Sequence, residues 1–153
     1  MHFDRILVTT DFSDESVKAF DAAAYQAKMG GSKILLLNVF EKFQLPPELS
    51  RVIWDPNRID AMEQNYLNEA KVQLEAIAKP HFHGIEIECL SIMSADSPAK
   101  VICKVADERD CDLIVMAGSG RGVIEHLLVG STVSKVLNHA PCPVLVMRGK
   151  EED

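Results

Sequence analysis

Apolar positions in this chain follow two alternating rhythms. Short runs of consecutive apolar residues read as buried strands, and stretches with apolar residues every three or four positions read as one-faced helices. Arg5-Ile-Leu-Val-Thr9 predicts a first strand. Ser13 is suited to cap a helix, with Asp14 and Glu15 in its first turn, where acids suit the dipole. Val17, Phe20, Ala24 and Ala27 make that helix's inward stripe, and Gly30-Gly31 ends it. Lys33 to Val39 is a continuous run, predicting a strand covered on both faces. Glu41 to Asn57, with Pro46, Pro47, Trp54 and Pro56, reads as irregular. A long helix follows, with Ile59, Met62, Tyr66, Ala70, Leu74 and Ile77 on one stripe, stopping near Pro80. Ile85 to Ile92 alternates apolar residues with Glu86 and Glu88, predicting a half-exposed or edge strand. Ser97 caps and Pro98 starts a third helix, with Ile102 and Val105 facing inward. Leu113 to Met116 is a fourth strand, Val133, Val136 and Leu137 mark a fourth helix, and Pro143 to Met147 is a fifth strand. Strands alternating with helices predict a parallel sheet with helices on both faces.

Bulk properties narrow the function. At 153 residues, one domain over 1–148 with a short acidic tail at 149–153 is expected. The chain is 47% hydrophobic and 25% charged, ordinary for a soluble globular protein, and its net charge is -7. With no cluster of Lys and Arg to offset that charge, a nucleic-acid partner is not expected, and local dipoles must hold any anionic ligand. Cys89, Cys103, Cys111 and Cys142 show no C-x-x-C spacing and read as small buried fillers, reduced in a cytosol. No signal-peptide pattern or membrane-length apolar run is present, so a cytoplasmic location is expected.

The candidate chemistry lies between Asp112 and Met147. The fourth strand runs into a loop carrying Gly118, Gly120 and Gly122, and Gly130-Ser131-Thr132 then opens a helix. Such parts can hold a phosphate chain, because glycines let main-chain N–H groups come close and a helix start offers unpaired N–H groups. The loop is not a Walker A motif, and Val123 breaks a G-x-G-x-x-G pattern. In open α/β sheets, ligands sit beyond the C-terminal strand ends where strand order reverses. Thr9, Thr10 and Asp11 follow the first strand, Val39 ends the second, and Met116 to Gly122 leave the fourth. If the order is 3-2-1-4-5, the crevice between the first and fourth strands is the site.

The chain resembles the universal stress protein family in its nucleotide-binding branch. That family's motif is Gly, two residues, Gly, nine residues, Gly, then Ser or Thr; here it reads Ala117-Gly-Ser-Gly120, nine residues, Gly130-Ser131. The likeness extends to the opening Ile-Leu-Val-Thr-Thr-Asp-Phe-Ser, the Ser-Pro-Ala before the third helix, the Asp-Leu-Ile-Val-Met strand and the closing His-Ala-Pro-Cys-Pro-Val-Leu-Val. It implies an open five-stranded parallel sheet of order 3-2-1-4-5, of the adenine nucleotide alpha hydrolase-like kind, an ATP or AMP site, and a homodimer. Mg²⁺ or Mn²⁺ can accompany the phosphates. The nucleotide contacts then fall to Thr9, Asp11, Val39, Met116, Ala117, Gly118, Gly120, Arg121, Gly130, Ser131, Thr132 and Val133. Asp11 would face the nucleoside, the Val39 main chain would read the adenine edge, and Gly120, Gly130, Ser131 and Thr132 would hold phosphate. Arg121 either reaches a phosphate or stands exposed, and Asp11 either meets the nucleoside or turns the chain.

Three departures from the family pattern stand out. Thr9 replaces a frequent proline, Asp96 replaces a frequent glycine before Ser-Pro-Ala, and Ala117 replaces the first motif glycine. If the Ala117 position needs a left-handed backbone, alanine costs ~1–2 kcal/mol; if it needs only closeness to ribose, the methyl group is tolerated. His81 and His83 read as a turn, not a metal site, and adjacent Glu125 and His126 do not make an acid–base pair. His139 and Trp54 read as structural. No catalytic residues are expected. The apolar edge strand Val144–Met147 invites antiparallel pairing with its copy. The expected function is a dimeric, adenine-nucleotide-binding module of stress response. The alternatives are a protein of the same fold acting through its dimer surface without nucleotide, and a slow nucleotide hydrolase or transferase.

Overall fold

The computed structural model describes residues 1–42, 46–48, 55–118 and 130–148. The readings made for Trp54, Gly120, Arg121, Glu125, His126 and the tail at 149–153 lie outside them. Among the described residues, strands β1 (Arg5–Thr9), β2 (Lys33–Glu41), β3 (Ile87–Ser94), β4 (Leu113–Ala117) and β5 (Val144–Met147) alternate with helices α1 (Asp14–Gly30), α2 (Pro56–Ala78), α3 (Pro98–Glu108) and α4 (Ser131–His139). All strand pairs are parallel, in the order β3-β2-β1-β4-β5. The expected sheet is therefore present, with β1 beside β4 at the point where the order reverses.

Alternation along the strands divides the core into two layers. Ile6, Val8, Ile34, Leu36, Leu113 and Val115 pack against α1 and the later turns of α2. Leu7, Leu35, Leu37, Ile114 and Met116 pack against α3 and α4. Ile6, Leu7 and Val8 are wholly buried, as expected of a central parallel strand. α1 turns Ala19, Ala23, Ala24 and Ala27 to the sheet, and these small side chains let its axis come close.

Helix ends follow the local chemistry. Ser13 Oγ accepts from Ser16 N at 3.2 Å, and Gly31 closes α1 with φ 70°, a backbone that glycine adopts without strain. Asp55 and Ser97 cap α2 and α3, each followed by proline in the first turn. At the N-terminal ends of the central strands, away from the site, Asp112 accepts from Asp4 N at 2.8 Å and Arg5 N at 3.3 Å, tying β4 to the start of β1.

Several expectations need correction. β3 begins and ends two residues later than predicted, because a turn with Ile85 N bonded to Phe82 O and Gly84 at φ 74° occupies its start. β2 runs on to Glu41, and Pro56 and Asn57 are already helical. The predicted inward stripe of α2 is buried only in its later part. Ala70, Leu74 and Ala78 are covered, whereas Met62 and Tyr66 are 70% and 49% exposed. Length explains this: 23 helical residues span about 34 Å, whereas the eight residues of β3 span roughly 26 Å, so the first turns overhang the sheet. Leu137 is likewise 48% exposed, because Val133 and Val136 already fill the inward face of α4. Of the cysteines, only Cys111 is buried and the others are half-buried; all four are free thiols. Burial raises each thiol pKa, that of Cys111 to about 11, so they remain protonated at neutral pH.

Candidate functional site

Beyond the C-terminal ends of β1 and β4 lies a cleft of about 380 Å³. That is within the roughly 300–1,000 Å³ usual for small-molecule sites. Ten of the residues anticipated from sequence line it: Thr9 and Asp11 after β1, Val39 of β2, Met116, Ala117 and Gly118 at the end of β4, and Gly130, Ser131, Thr132 and Val133 at the start of α4. Gly120 and Arg121, the other two, lie outside the described residues.

One wall is the turn from β1 into α1. Thr10 is buried, with its N–H bonded to Leu37 O at 3.0 Å and its hydroxyl 2.7 Å from that of Ser16. Phe12 follows in a left-handed backbone, φ 65°, and its N–H donates to Thr10 Oγ1 at 3.1 Å. This reversal lets Asp11 line the cleft while Ser13 starts the helix. Asp11 Oδ1 accepts from Ser13 N at 2.9 Å and from Ser13 Oγ at 2.5 Å. Burial pushes the Asp11 pKa up, but the hydrogen bonds from Ser13, with Ser16, outweigh it and hold the carboxyl below its ordinary 3.8. Asp11 is thus ionised at neutral pH, and it shapes the turn as well as lining the cleft.

The opposite wall is the start of α4. The three other helices have a side chain accepting from their first turn, but Gly130 caps α4 with none. The first intrahelical bond runs from Ser134 N to Gly130 O at 3.0 Å, so the N–H groups of Ser131, Thr132 and Val133 precede the ladder. Gly130 has φ -62° and ψ 160°, an extended conformation open to any residue, so its want of a side chain matters for space rather than backbone freedom.

The floor is the end of β4. Ala117 is the last residue of the strand, paired with Met147, and its φ is not positive. The left-handed reading of this position is set aside, and with it the strain ascribed to alanine. Gly118 N donates to Met147 O at 2.8 Å, and a Cβ at Gly118 would lie 3.4 Å from Val146 Cγ1.

The sequence reading missed Ser13, Glu15 and Ser16, which line the cleft from α1, and Leu37, Pro98 and Ile102 from β2 and α3. Ser13 and Pro98 carried a visible signal, but as helix starters. Among the described lining residues the charged groups are Asp11 and Glu15, both acidic. His81 lies away from the cleft, its Nδ1 2.8 Å from Asp21 Oδ1, and His139 Nδ1 is 2.9 Å from Lys135 O at the end of α4.

The model of the universal stress protein family matches residues 2–148, and the chain belongs to that family. A universal stress protein of Thermus aquaticus, described as lying in the QAH/OAS sulfhydrylase 3′ region, is 31% identical over 146 residues, covering 95% of this chain and 99% of that one. Among solved structures, the hypothetical protein MJ0577 shares the fold with a TM-score of 0.79 at 24% identity, covering 99% and 100% of the two chains. A universal stress protein in complex with cAMP (TM-score 0.62, 23% identity, 97% and 98% covered) and one from Archaeoglobus fulgidus in complex with dAMP (0.62, 22%, 95% and 98%) share it too.

Proposed function

We propose that the cleft binds an adenine nucleotide and that the protein is a cytoplasmic, dimeric binding module of the stress response. The observation that carries this reading is the opposition of an acidic wall, Asp11 and Glu15, to an uncapped helix start at Gly130. A phosphate is repelled by the first and attracted by the second, since unpaired N–H groups and the helix dipole favour an anion. A nucleotide therefore has one favourable direction: phosphates toward Ser131 and Thr132, ribose and base toward Asp11 and Val39. Asp11 accepts from ribose hydroxyls there, and the edge of β2 at Val39 offers main-chain groups to the base. The cAMP and dAMP complexes of proteins with this fold support the adenine assignment.

Ser131 and Thr132 add hydroxyl donors, and the family motif assigns Gly120 to the same phosphate contact. A divalent cation, Mg²⁺ or Mn²⁺, would ride on the phosphates. The paired protomers meet along β5, whose Val144–Met147 run lies at the edge of the sheet. The deciding experiment is mass spectrometry of small molecules released from freshly purified protein, followed by calorimetric titration with ATP, AMP, dAMP and GTP. Binding of the adenine nucleotides is expected, with GTP weaker. Absence of heat with ATP at millimolar concentration would overturn the reading in favour of a fold acting without nucleotide.

A further inference from the structure

A second cavity, of about 170 Å³, lies where α2 overhangs the sheet. It is lined by Phe12, Phe40, Tyr66, Glu69, Ala70 and Gln73. Phe12 and Phe40 stack with centroids 6.2 Å apart, and Tyr66 meets Phe40 edge-on at 4.6 Å. Tyr66, Glu69, Ala70 and Gln73 recur at helical spacing, so one face of α2 supplies most of the wall. The neighbouring lysine, Lys42, is paired with Glu63 at 3.4 Å, and among the described residues no cation pairs with Glu69.

We propose that this cavity binds a small methylated ammonium cation. Aromatic faces attract a cation brought within about 6 Å of the ring centroid, and the attraction is greatest when the cation carries little hydration. Three rings and a carboxylate with no cation beside it among the described residues match such a head group in both charge and polarity. A primary ammonium entering between these rings gives up its hydrogen bonds to water and must recover all three from Glu69, the Gln73 amide and the Tyr66 hydroxyl in one fixed geometry. A methylated cation needs no such acceptors. The volume, below the roughly 300 Å³ of drug-sized pockets, suits a compact head group. Were the rings there only to shield the sheet end, a neutral molecule of the same shape would fit equally well.

The test is a ligand-observed NMR titration of the intact protein with choline, with its neutral isostere 3,3-dimethylbutan-1-ol, and with n-butylammonium, without added nucleotide. Choline is expected to bind about fivefold or more tighter than the isostere. Glu69→Gln and Tyr66→Leu, checked for an unchanged thermal midpoint, are each expected to weaken choline by about threefold or more. A third variant, Phe40→Leu, covers the case where Tyr66→Leu unfolds. Equal affinity for the neutral isostere, equal or tighter binding of n-butylammonium, or wild-type affinity in folded variants would overturn the proposal. None of these outcomes depends on the nucleotide cleft.

Discussion

Asn38 Nδ2 donates to the Thr10 carbonyl at 2.8 Å, a buried bond that ties β2 to the exit of β1. Asn38 is 2% exposed, in a strand otherwise apolar at that depth. Among the described residues its Oδ1 has no protein partner, so the residue gives up solvation in order to hold one carbonyl. Asn38→Ala is expected to destabilise the fold by about 1–3 kcal/mol, the cost of leaving a buried carbonyl unsatisfied. It should also weaken nucleotide binding, since Asp11 follows Thr10 directly. Urea unfolding and calorimetry check both; unchanged stability would mean that water replaces the amide at no cost.

Asp11 sets a pH dependence. Its folded pKa is depressed below 3.8, so its contribution to stability is complete above that value and is lost as pH falls through the lower folded pKa. Asp11→Asn should therefore lower stability across the neutral region and leave the acid extreme nearly unchanged, which flattens the acid limb below about pH 4. Denaturant midpoints measured from pH 2 to pH 7 decide this. An identical acid limb in the variant would show that other carboxylates govern it.

Gly130→Val should cost most of the nucleotide affinity, at least about tenfold, or roughly 1.4 kcal/mol. The side chain would stand where a phosphate must approach the helix start. The extended backbone at Gly130 accepts a branched residue, so circular dichroism and thermal midpoint should change little. Wild-type affinity in this variant would move the phosphates away from α4.

Edge pairing through β5 is tested best with proline. Val146 packs into the layer with α3 and α4, so a charge there would injure the core as well as any interface. Pro143 O and Met147 O accept from Ile114 N and Gly118 N, so in a parallel ladder the alternate residues Val144 and Val146 turn their N–H groups to the free edge. Val146→Pro removes one outward donor without taking a bond from β4. Sedimentation velocity should show a dimer becoming a monomer, and an unchanged profile would place the interface elsewhere.

Most of the architecture was legible in the sequence because each local signal agreed with the others. Ser13, Ser97 and Pro98 mark helix starts, Gly31 marks a stop, and the strand runs between them have no competing periodicity. Ten of the twelve anticipated site residues line one cleft because strand ends in this fold converge on the switch point. What escaped detection depends on distance in space. Ser16 enters the cleft wall through Thr10, six residues away, and nothing in its neighbours announces it. Met62, Tyr66 and Leu137 fit an apolar stripe, but periodicity does not report where a helix outruns its sheet. The turn at Phe12 was equally hidden, since a left-handed backbone is usually signalled by glycine or asparagine rather than phenylalanine.

Phe12 sits between two residues of the larger cleft, Asp11 and Ser13, and its ring lines the smaller cavity. The two hollows thus have a common partition, held in an uncommon backbone conformation. A substitution that reshapes this turn acts on both hollows at once, whereas changes at Tyr66 or Gln73 fall on the smaller one alone.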